Sequence, residues 1–258
     1  MRLPLGRWVI AVLAGWLTVV SGVAAESVAK GFQNRVFTDA TGARHPFVVF
    51  VPAGLQPGAR PPVMLFLHGS GERGDNNIDQ LMAGIGPALW KRKQKFPFVV
   101  VLPQCRPGSS WLAGGPDAER ALGMLRQIQA EFATDPDRVI LTGLSMGGSG
   151  TWSIAATDPS AWSAIVPMCG RGDLAAAEKF AATRLPIWNS CGDQDRPETV
   201  KANRDLHEAL LKAGANAKYV EYPGVPHNCW DIVYGTDELY TWLLAQARSR
   251  NRAPANVP

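Results

Sequence analysis

The chain has 258 residues, of which 46% are hydrophobic and 19% are charged, as in an ordinary globular protein with one sizeable core. Its formal net charge is +4, and it contains no block of basic residues. The composition therefore argues against nucleic acid as a partner, and the length favours one domain.

The first 25 residues have the pattern of a secretory signal peptide. Two arginines precede an apolar run over 8–20, and small residues at 23–25 offer a cleavage site before Glu26. An uncleaved membrane anchor is the alternative, but the run is shorter than the roughly 20 residues that span a bilayer. We therefore predict a secreted or periplasmic protein without membrane insertion, with one folded domain over 26–248 and a flexible tail over 249–258.

Short apolar runs alternate with helical periodicity along the rest of the chain. Strands are predicted over 47–51, 63–67, 98–102, 139–142, 164–168, 186–190 and 218–222. Helices are predicted over 117–132, 147–156, 198–213 and 237–247. This alternation predicts an α/β protein with a mostly parallel sheet that is covered by helices on both faces.

A G-x-S-x-G motif, Gly143-Leu144-Ser145-Met146-Gly147, directly follows the strand at 139–142 and leads into a predicted helix. A serine on such a tight strand-to-helix turn exposes its hydroxyl, and glycines are needed where side chains would collide with the turn. The N-terminus of the helix favours the negative charge that develops during acyl transfer. The motif therefore predicts Ser145 as a nucleophile.

The chain contains four histidines, so the general base can be sought by elimination. His45 precedes a long strand, His68 directly follows one, and His207 lies inside a helix among charged residues. His227 alone lies in a loop that leaves a late strand, downstream of the nucleophile, where the base of a hydrolase with this motif belongs. His227 is therefore the predicted base.

Two carboxylates compete for the orienting acid in the loop after the strand at 186–190. Asp195 lies farther from the strand end and is favoured, whereas Asp193 is expected to cap the turn or the next helix. In the predicted mechanism His227 takes the proton of Ser145, and Asp195 holds the imidazole in the required tautomer.

Two backbone N–H groups should stabilise the oxyanion that forms during the reaction. One belongs to Met146, the residue after the nucleophile. The other comes from the loop after the strand at 63–67, with Ser70 as the predicted donor and Gly71 as the alternative. No cofactor is predicted, and no cysteine or histidine spacing indicates a metal site.

With these residues placed, the chain resembles a family of bacterial α/β-hydrolases that are described as carboxylesterases, phospholipase/carboxylesterase-like or prolyl-oligopeptidase-like. The resemblance rests on LHGSGERG at 67–74, LPQC at 102–105, GLSMGG at 143–148, VPMCG at 166–170 and YPGVPH at 222–227. It implies an α/β-hydrolase fold, cofactor-free hydrolysis of a small-molecule or polymer-borne ester, and Asp195 as the acid. Feruloyl esterases and polyhydroxyalkanoate depolymerases resemble the chain more distantly.

The chain departs from this family at two cysteines. Cys191 stands where a histidine is usual, and Cys229 stands where a serine is usual. Because both are expected at the carboxyl edge of neighbouring strands in an exported protein, a Cys191–Cys229 disulfide is a hypothesis, with two free thiols as the alternative. Cys105 and Cys169 are assigned no partner.

Several functions remain open from the sequence. A feruloyl- or polyester-type esterase or a small serine peptidase would use the same catalytic residues, and a non-catalytic binding protein would not. The short span between 169 and 187 leaves no room for a lid, so no cap domain is expected and accessible esters are favoured. Trp111, Trp152 and Trp230 are candidates to line an acyl pocket, although burial in the core is the commoner role of tryptophan.

Overall fold

A computed structural model describes residues 29–251, so the predicted signal peptide lies outside the described residues. The strands are β1 (Gly31–Thr38), β2 (Arg44–Val51), β3 (Val63–Leu67), β4 (Val99–Pro103), β5 (Val139–Leu144), β6 (Ala164–Met168), β7 (Ile187–Gly192) and β8 (Ala217–Tyr222). They form one sheet in the order β1-β2-β4-β3-β5-β6-β7-β8. Only the β1–β2 and β2–β4 pairs are antiparallel in the described sheet, so the predicted mostly parallel α/β class is confirmed.

Helices cover both faces of the sheet. They are α1 (Ile85–Arg92), α2 (Pro116–Glu131), α3 (Met146–Thr157), α4 (Ala177–Thr183), α5 (Pro197–Lys212), α6 (Trp230–Gly235), α7 (Asp237–Leu244) and α8 (Arg248–Asn251). One core cluster joins the sheet to α2, α3, α4 and α5, and the other joins it mainly to α1, α6 and α7. Within the described residues there is no separate cap domain, because only short helical segments lie between β6 and β7.

Strand β3 shows why the central strands have continuous apolar sequences. Val63, Leu65 and Leu67 belong to one core cluster, whereas Met64 and Phe66 belong to the other. Successive side chains of a strand point to opposite faces, so a strand between two helical layers must be apolar at every position. All five residues are fully buried.

The sequence predicted seven strands and missed β1, which forms an edge of the eight-stranded sheet. Its side chains alternate between half-buried and exposed over much of its length, so the strand has no continuous apolar run. It pairs with β2 along its whole length, from Gly31 opposite Val51 to Thr38 opposite Arg44. Phe37 also packs against Gly123 of α2, where a Cβ atom would overlap the phenyl ring. Pairing and packing across the chain therefore determine this strand.

A short helix lies at the predicted carboxyl-terminal domain boundary. Helix α8 begins at Arg248, the expected end of the domain, and reaches Asn251. The Asn251 side chain donates a hydrogen bond to the carbonyl oxygen of Ser163 at 3.1 Å, and the Arg248 N–H donates to the carbonyl of Asp137 at 2.8 Å. These bonds attach the first part of the predicted tail to the body of the protein. The part over 252–258 lies outside the described residues.

Candidate active site

Ser145 lies on the turn between β5 and α3 with φ 54° and ψ −115°, a backbone conformation that strongly favours glycine. Its N–H donates to the carbonyl oxygen of Met168 at the end of β6. A Cβ atom at Gly147 would overlap the carbonyl oxygen of Leu67. The strained serine and the steric need for glycine are the features that a nucleophile turn requires.

The structure brings the predicted Ser145, His227 and Asp195 into one hydrogen-bonded chain. His227 Nε2 lies 2.9 Å from Ser145 Oγ, and His227 Nδ1 lies 2.6 Å from Asp195 Oδ2. The Asp195 side chain is 1% exposed, and its other oxygen accepts the N–H of Arg196 at 2.7 Å. The His227 side chain is 35% exposed, so the site opens to solvent on the histidine side.

Asp193 occupies a different position, although it lies only two residues before Asp195. Its Oδ1 accepts the N–H of Gly224 at 2.7 Å, in the turn that follows β8. A Cβ atom at Gly192 would overlap the carbonyl oxygens of Val225 and Pro226, so the loops after β7 and β8 are in close contact. Asp193 therefore holds the turn that leads to the histidine.

His68 organises the loop after β3, a role that the sequence did not reveal. The ring is fully buried, Nδ1 lies 2.6 Å from the carbonyl oxygen of Gly69, and Nε2 accepts the N–H of Cys105 at 2.9 Å. Burial lowers the pKa of His68 to about 4. The imidazole is therefore neutral at ordinary pH, and its two partners assign the proton to Nδ1.

Further side chains hold the same loop in place. Trp111 Nε1 donates to the carbonyl oxygen of His68 at 2.9 Å. Gln104 Oε1 accepts the N–H of Asn77 at 2.7 Å, and Gln104 Nε2 donates to the carbonyl of Glu72 at 3.2 Å. Gln104 directly follows the buried strand β4, and a glutamine in that position needs polar partners, so it is a sequence signal that could have indicated the Gln104 contacts.

The predicted oxyanion donors, Ser70 and Met146, each follow a residue of a close pair, Gly69 and Ser145. A Cβ atom at Gly69 would lie 3.5 Å from Ser145 Cβ, so the loop after β3 passes beside the nucleophile. Ser70 follows Gly69 and begins a short 3-10 helix, and Met146 follows Ser145 and begins α3. The loop and the helix N-terminus thus meet at the serine, as an oxyanion hole requires.

Three of the four cysteines lie close to the hydrogen-bonded chain of Ser145, His227 and Asp195. All four cysteines lie within the described residues and are buried free thiols. The Cys191 side chain points toward Asp195, and its Sγ lies 3.7 Å from Asp195 Oδ2. Cys229 Sγ lies 3.1 Å from Cys169 Sγ instead. The structure thus does not support the hypothesised Cys191–Cys229 disulfide, because the two side chains have other partners.

The same cluster brings potential metal ligands together. One ligand atom from each of Cys169, Cys191 and Asp195 lies within 4.8 Å of the others. Two thiols and a carboxylate are a donor set that suits a thiophilic divalent ion. Asp195 is already engaged by His227 and by the N–H of Arg196. A metal bound there would compete with the histidine for the carboxylate.

The three candidate tryptophans separate into two groups. Trp111 and Trp152 are buried in the core cluster on the α2 and α3 side. Trp230 is half-buried and lies edge-on to the ring of His227, with ring centroids 5.2 Å apart. Of these three, Trp230 is the one whose ring contacts His227.

Comparisons with known sequences point to esterases. Residues 116–230 match the model of the dienelactone hydrolase family. A stretch of 157 residues is 29% identical to a bifunctional acetylxylan esterase/xylanase of Neocallimastix patriciarum, covering 60% of this chain and 22% of that protein. The chain therefore spans about a fifth of the length of this curated relative.

Solved structures extend the comparison to the whole fold. A thermostable esterase is 32% identical with a TM-score of 0.76, over 84% of this chain and 63% of that chain. A feruloyl esterase module of Clostridium thermocellum, solved with sinapinate, is 16% identical with a TM-score of 0.63, over 81% and 86% of the two chains. The second likeness concerns the fold alone.

Within residues 29–251, no helix has the length and apolar character needed to cross a membrane. The predicted resemblance to carboxylesterase-type α/β-hydrolases is confirmed: the chain has the α/β-hydrolase fold, and its residues 116–230 carry the sequence pattern of the dienelactone hydrolase family.

Proposed function

We propose that this protein is a serine hydrolase of carboxylic esters. The observation that carries the proposal is the chain of hydrogen bonds from Ser145 Oγ to His227 Nε2 and from His227 Nδ1 to Asp195 Oδ2. His227 accepts the hydroxyl proton as Ser145 attacks the acyl carbon, and Asp195 stabilises the imidazolium that forms. The alcohol leaves with a proton from His227, and an acyl-serine remains.

Water then hydrolyses the acyl-enzyme, with His227 again as the base. The N–H of Met146 and the N–H of Ser70, or of Gly71 in its place, stabilise the oxyanion in both steps. The neutral His68 supports this role, because its hydrogen bond to the Gly69 carbonyl fixes the backbone next to Ser70. The reaction needs no cofactor.

The substrate class follows from the openness of the site and from the relatives. The connection between β6 and β7 is short, and no cap is inserted there within the described residues. An uncapped site accepts esters that project from a polymer as well as small esters. The relative from Neocallimastix patriciarum is a bifunctional acetylxylan esterase/xylanase, and its esterase activity supports an acetyl or other short acyl group on a carbohydrate polymer.

Export belongs to the same proposal. The pattern over 1–25 predicts cleavage before Glu26, and an extracellular or periplasmic location suits an enzyme that acts on a polymer. Mass spectrometry of protein exported from a bacterial host should find an N-terminus at Glu26. A mature chain that begins at Met1 would contradict the export proposal.

The decisive experiment replaces the nucleophile. Ser145→Ala should lower kcat for p-nitrophenyl acetate by about 10⁴-fold or more, because the acyl-enzyme can no longer form. The matched control is Ser160→Ala. Ser160 is exposed and lies just beyond the carboxyl-terminal end of α3, so this variant should leave kcat unchanged. A fluorophosphonate should label the wild type on Ser145 and leave Ser145→Ala unlabelled. Retained hydrolysis in Ser145→Ala would overturn the mechanism.

A substrate panel separates the open alternatives. It contains p-nitrophenyl esters of rising acyl length, acetylated xylan, a feruloyl ester and a peptide anilide. We expect the highest kcat/KM on acetyl and other short acyl esters and no turnover of the anilide. Preferential cleavage of the anilide would identify a serine peptidase, and labelling by the fluorophosphonate without turnover of any ester would contradict the proposed esterase.

A further inference from the structure

The inference concerns two cysteines that the proposed reaction does not use. Cys169 Sγ and Cys229 Sγ lie 3.1 Å apart, and both residues are buried. Cys169 Sγ also lies 3.0 Å from the carbonyl oxygen of His227. Cys169 directly follows β6, and Cys229 lies two residues after the catalytic histidine. The sulfur pair therefore joins the end of a central strand to the loop that carries the base.

The backbone of Cys169 provides an independent observation. Its φ is 50°, in the left-handed region that glycine favours. The cysteine adopts this conformation itself, and the glycine of the sequence is the next residue, Gly170. Its N–H is held by the carbonyl of Ser190 on β7 at 2.9 Å. A residue keeps such a conformation where the surrounding structure enforces it, and the hydrogen bond to Ser190 is one such restraint. The backbone that carries the Cys169 sulfur is therefore held at the ends of β6 and β7.

We propose that Cys169 and Cys229 form a disulfide when the protein folds in an oxidising compartment, and that this bond fastens the His227 loop to the end of β6. A disulfide bond is about 2.05 Å long, so closure requires the two sulfurs to approach by only about 1 Å. Cys191 Sγ also lies within 4.8 Å of Cys169 Sγ. Cys229 Sγ is the favoured partner because it lies 3.1 Å from Cys169 Sγ, whereas Cys191 Sγ contacts the Asp195 carboxylate at 3.7 Å and keeps its thiol.

The oxidant is a disulfide, such as oxidised glutathione or the disulfide of a thiol oxidoreductase. The thiolate of one cysteine attacks a sulfur of oxidised glutathione, which forms a mixed disulfide and releases one glutathione thiolate. The thiolate of the second cysteine then attacks the first cysteine's sulfur and releases the second glutathione. The two cysteines lose two electrons and two protons, and oxidised glutathione becomes two reduced molecules.

The exchange takes place during folding, because in the folded protein both thiols are buried and inaccessible to a bulky disulfide. The bond closes a loop between residues that are 60 positions apart in the chain. Such a cross-link stabilises by restricting the unfolded chain. The oxidised protein should therefore have a Tm roughly 5–10 °C above that of the reduced protein.

The test maps the bond directly. The full chain is unfolded, refolded in oxidised and reduced glutathione, alkylated under denaturing conditions and digested at acid pH for mass spectrometry. The expected result is a peptide pair joined through Cys169 and Cys229, with two alkylated cysteines remaining. Four alkylated cysteines after oxidative refolding would overturn the proposal, and so would a bond that joins Cys191 to either of them.

Serine variants sharpen the assignment. Cys191→Ser and Cys105→Ser should retain the cross-link, whereas Cys169→Ser and Cys229→Ser should each lose it. Because the wild-type map decides the pairing on its own, a variant that fails to fold does not affect the result. Equal Tm values for the oxidised and reduced wild type would overturn the claim that the bond fastens the loop.

Discussion

The two loops that approach Ser145 from the two sides of β5 are held in place by different chemistry. The loop after β3 is held by the neutral imidazole of His68, by the Trp111 indole and by the Gln104 amide, each bonded to backbone groups. The loop after β8 is held by a carboxylate–histidine pair and by sulfur contacts. The position of the first loop is therefore set by packing and by neutral hydrogen bonds. The position of the second loop depends on the charge of a carboxylate and on two thiols.

The difference teaches that a site that donates hydrogen bonds to an oxyanion and a site that transfers a proton need different kinds of support. Backbone N–H groups that stabilise an oxyanion must be rigid and need not titrate, so buried neutral side chains are suited to hold them. A general base must gain and lose a proton, so an ionised acid has to stay beside it. Four predictions, given from the largest expected effect to the smallest, test this contrast.

The largest effect is expected at the acid. Asp195→Asn should lower kcat by about 10⁴-fold, because the amide no longer stabilises the imidazolium or its required tautomer. The matched control is Asp193→Asn, which replaces a carboxylate two residues earlier that bonds only the Gly224 N–H. We expect it to change kcat by less than about 10-fold. Steady-state kinetics with p-nitrophenyl acetate measures both, and equal losses would contradict the assignment of the acid.

The second prediction concerns the packed loop. His68→Ala should lower the free energy of unfolding by about 3–5 kcal/mol, because it leaves a cavity and removes the acceptor of the buried Cys105 N–H. His207→Ala, on the half-buried face of α5, should cost about 1 kcal/mol or less. Urea unfolding of both variants provides the comparison. A smaller loss for His68→Ala than for His207→Ala would contradict the proposed role of His68.

The third prediction is a dependence of stability on pH. The pKa of His68 is about 4 in the folded protein and about 6.5 in the unfolded chain, so the unfolded state binds more protons between these values. Stability should therefore fall as the pH falls from 6.5 toward 4, and this residue should account for a loss of up to about 3 kcal/mol.

Urea unfolding at a series of pH values measures this loss. His68→Gln, which cannot titrate, should show a flatter dependence over the same range, although its stability at neutral pH is lower. A variant as sensitive to acid as the wild type would show that the loss comes from other groups.

The smallest effect is expected at Trp230. Its edge-on contact with the His227 ring is of a kind worth about 0.5–1.5 kcal/mol beyond buried area. Trp230→Ala should therefore lower kcat by less than about 10-fold, and Trp230→Phe should restore most of the loss because phenylalanine can make the same contact. Kinetics of the two variants with the same ester measures the effect. An unrestored loss in Trp230→Phe would point to a role of the indole N–H instead.

Much of the site was predictable because its signals are local. The motif around Ser145 joins a strand to a helix over a few residues, and glycine on such a turn has a steric reason that the sequence displays. The position of His227 followed from elimination among four histidines. Loop position favoured Asp195 over Asp193 as the acid, and in the structure Asp195 contacts His227 whereas Asp193 bonds the N–H of Gly224.

The features that were missed depend on neighbours in space. Strand β1 has no continuous apolar run, and it exists because β2 and α2 provide partners. The role of His68 depends on Cys105, which is 37 positions away in the chain. The pairing of Cys229 with Cys169 rather than with Cys191 depends on the direction in which three side chains point.

By itself, the sequence determined the α/β class and indicated the strand-to-helix turn at Ser145 and the candidate base at His227, because hydrophobic periodicity and short motifs encode local conformation. Only the tertiary structure decided which cysteine sulfurs are in contact and that burial keeps His68 neutral. It also decided that Asp195 contacts His227 and that Asp193 contacts the turn at Gly224. The physical reason is that the order of strands in the sheet brings distant residues together. Burial and hydrogen bonding between such residues depend on that order, which no local pattern contains.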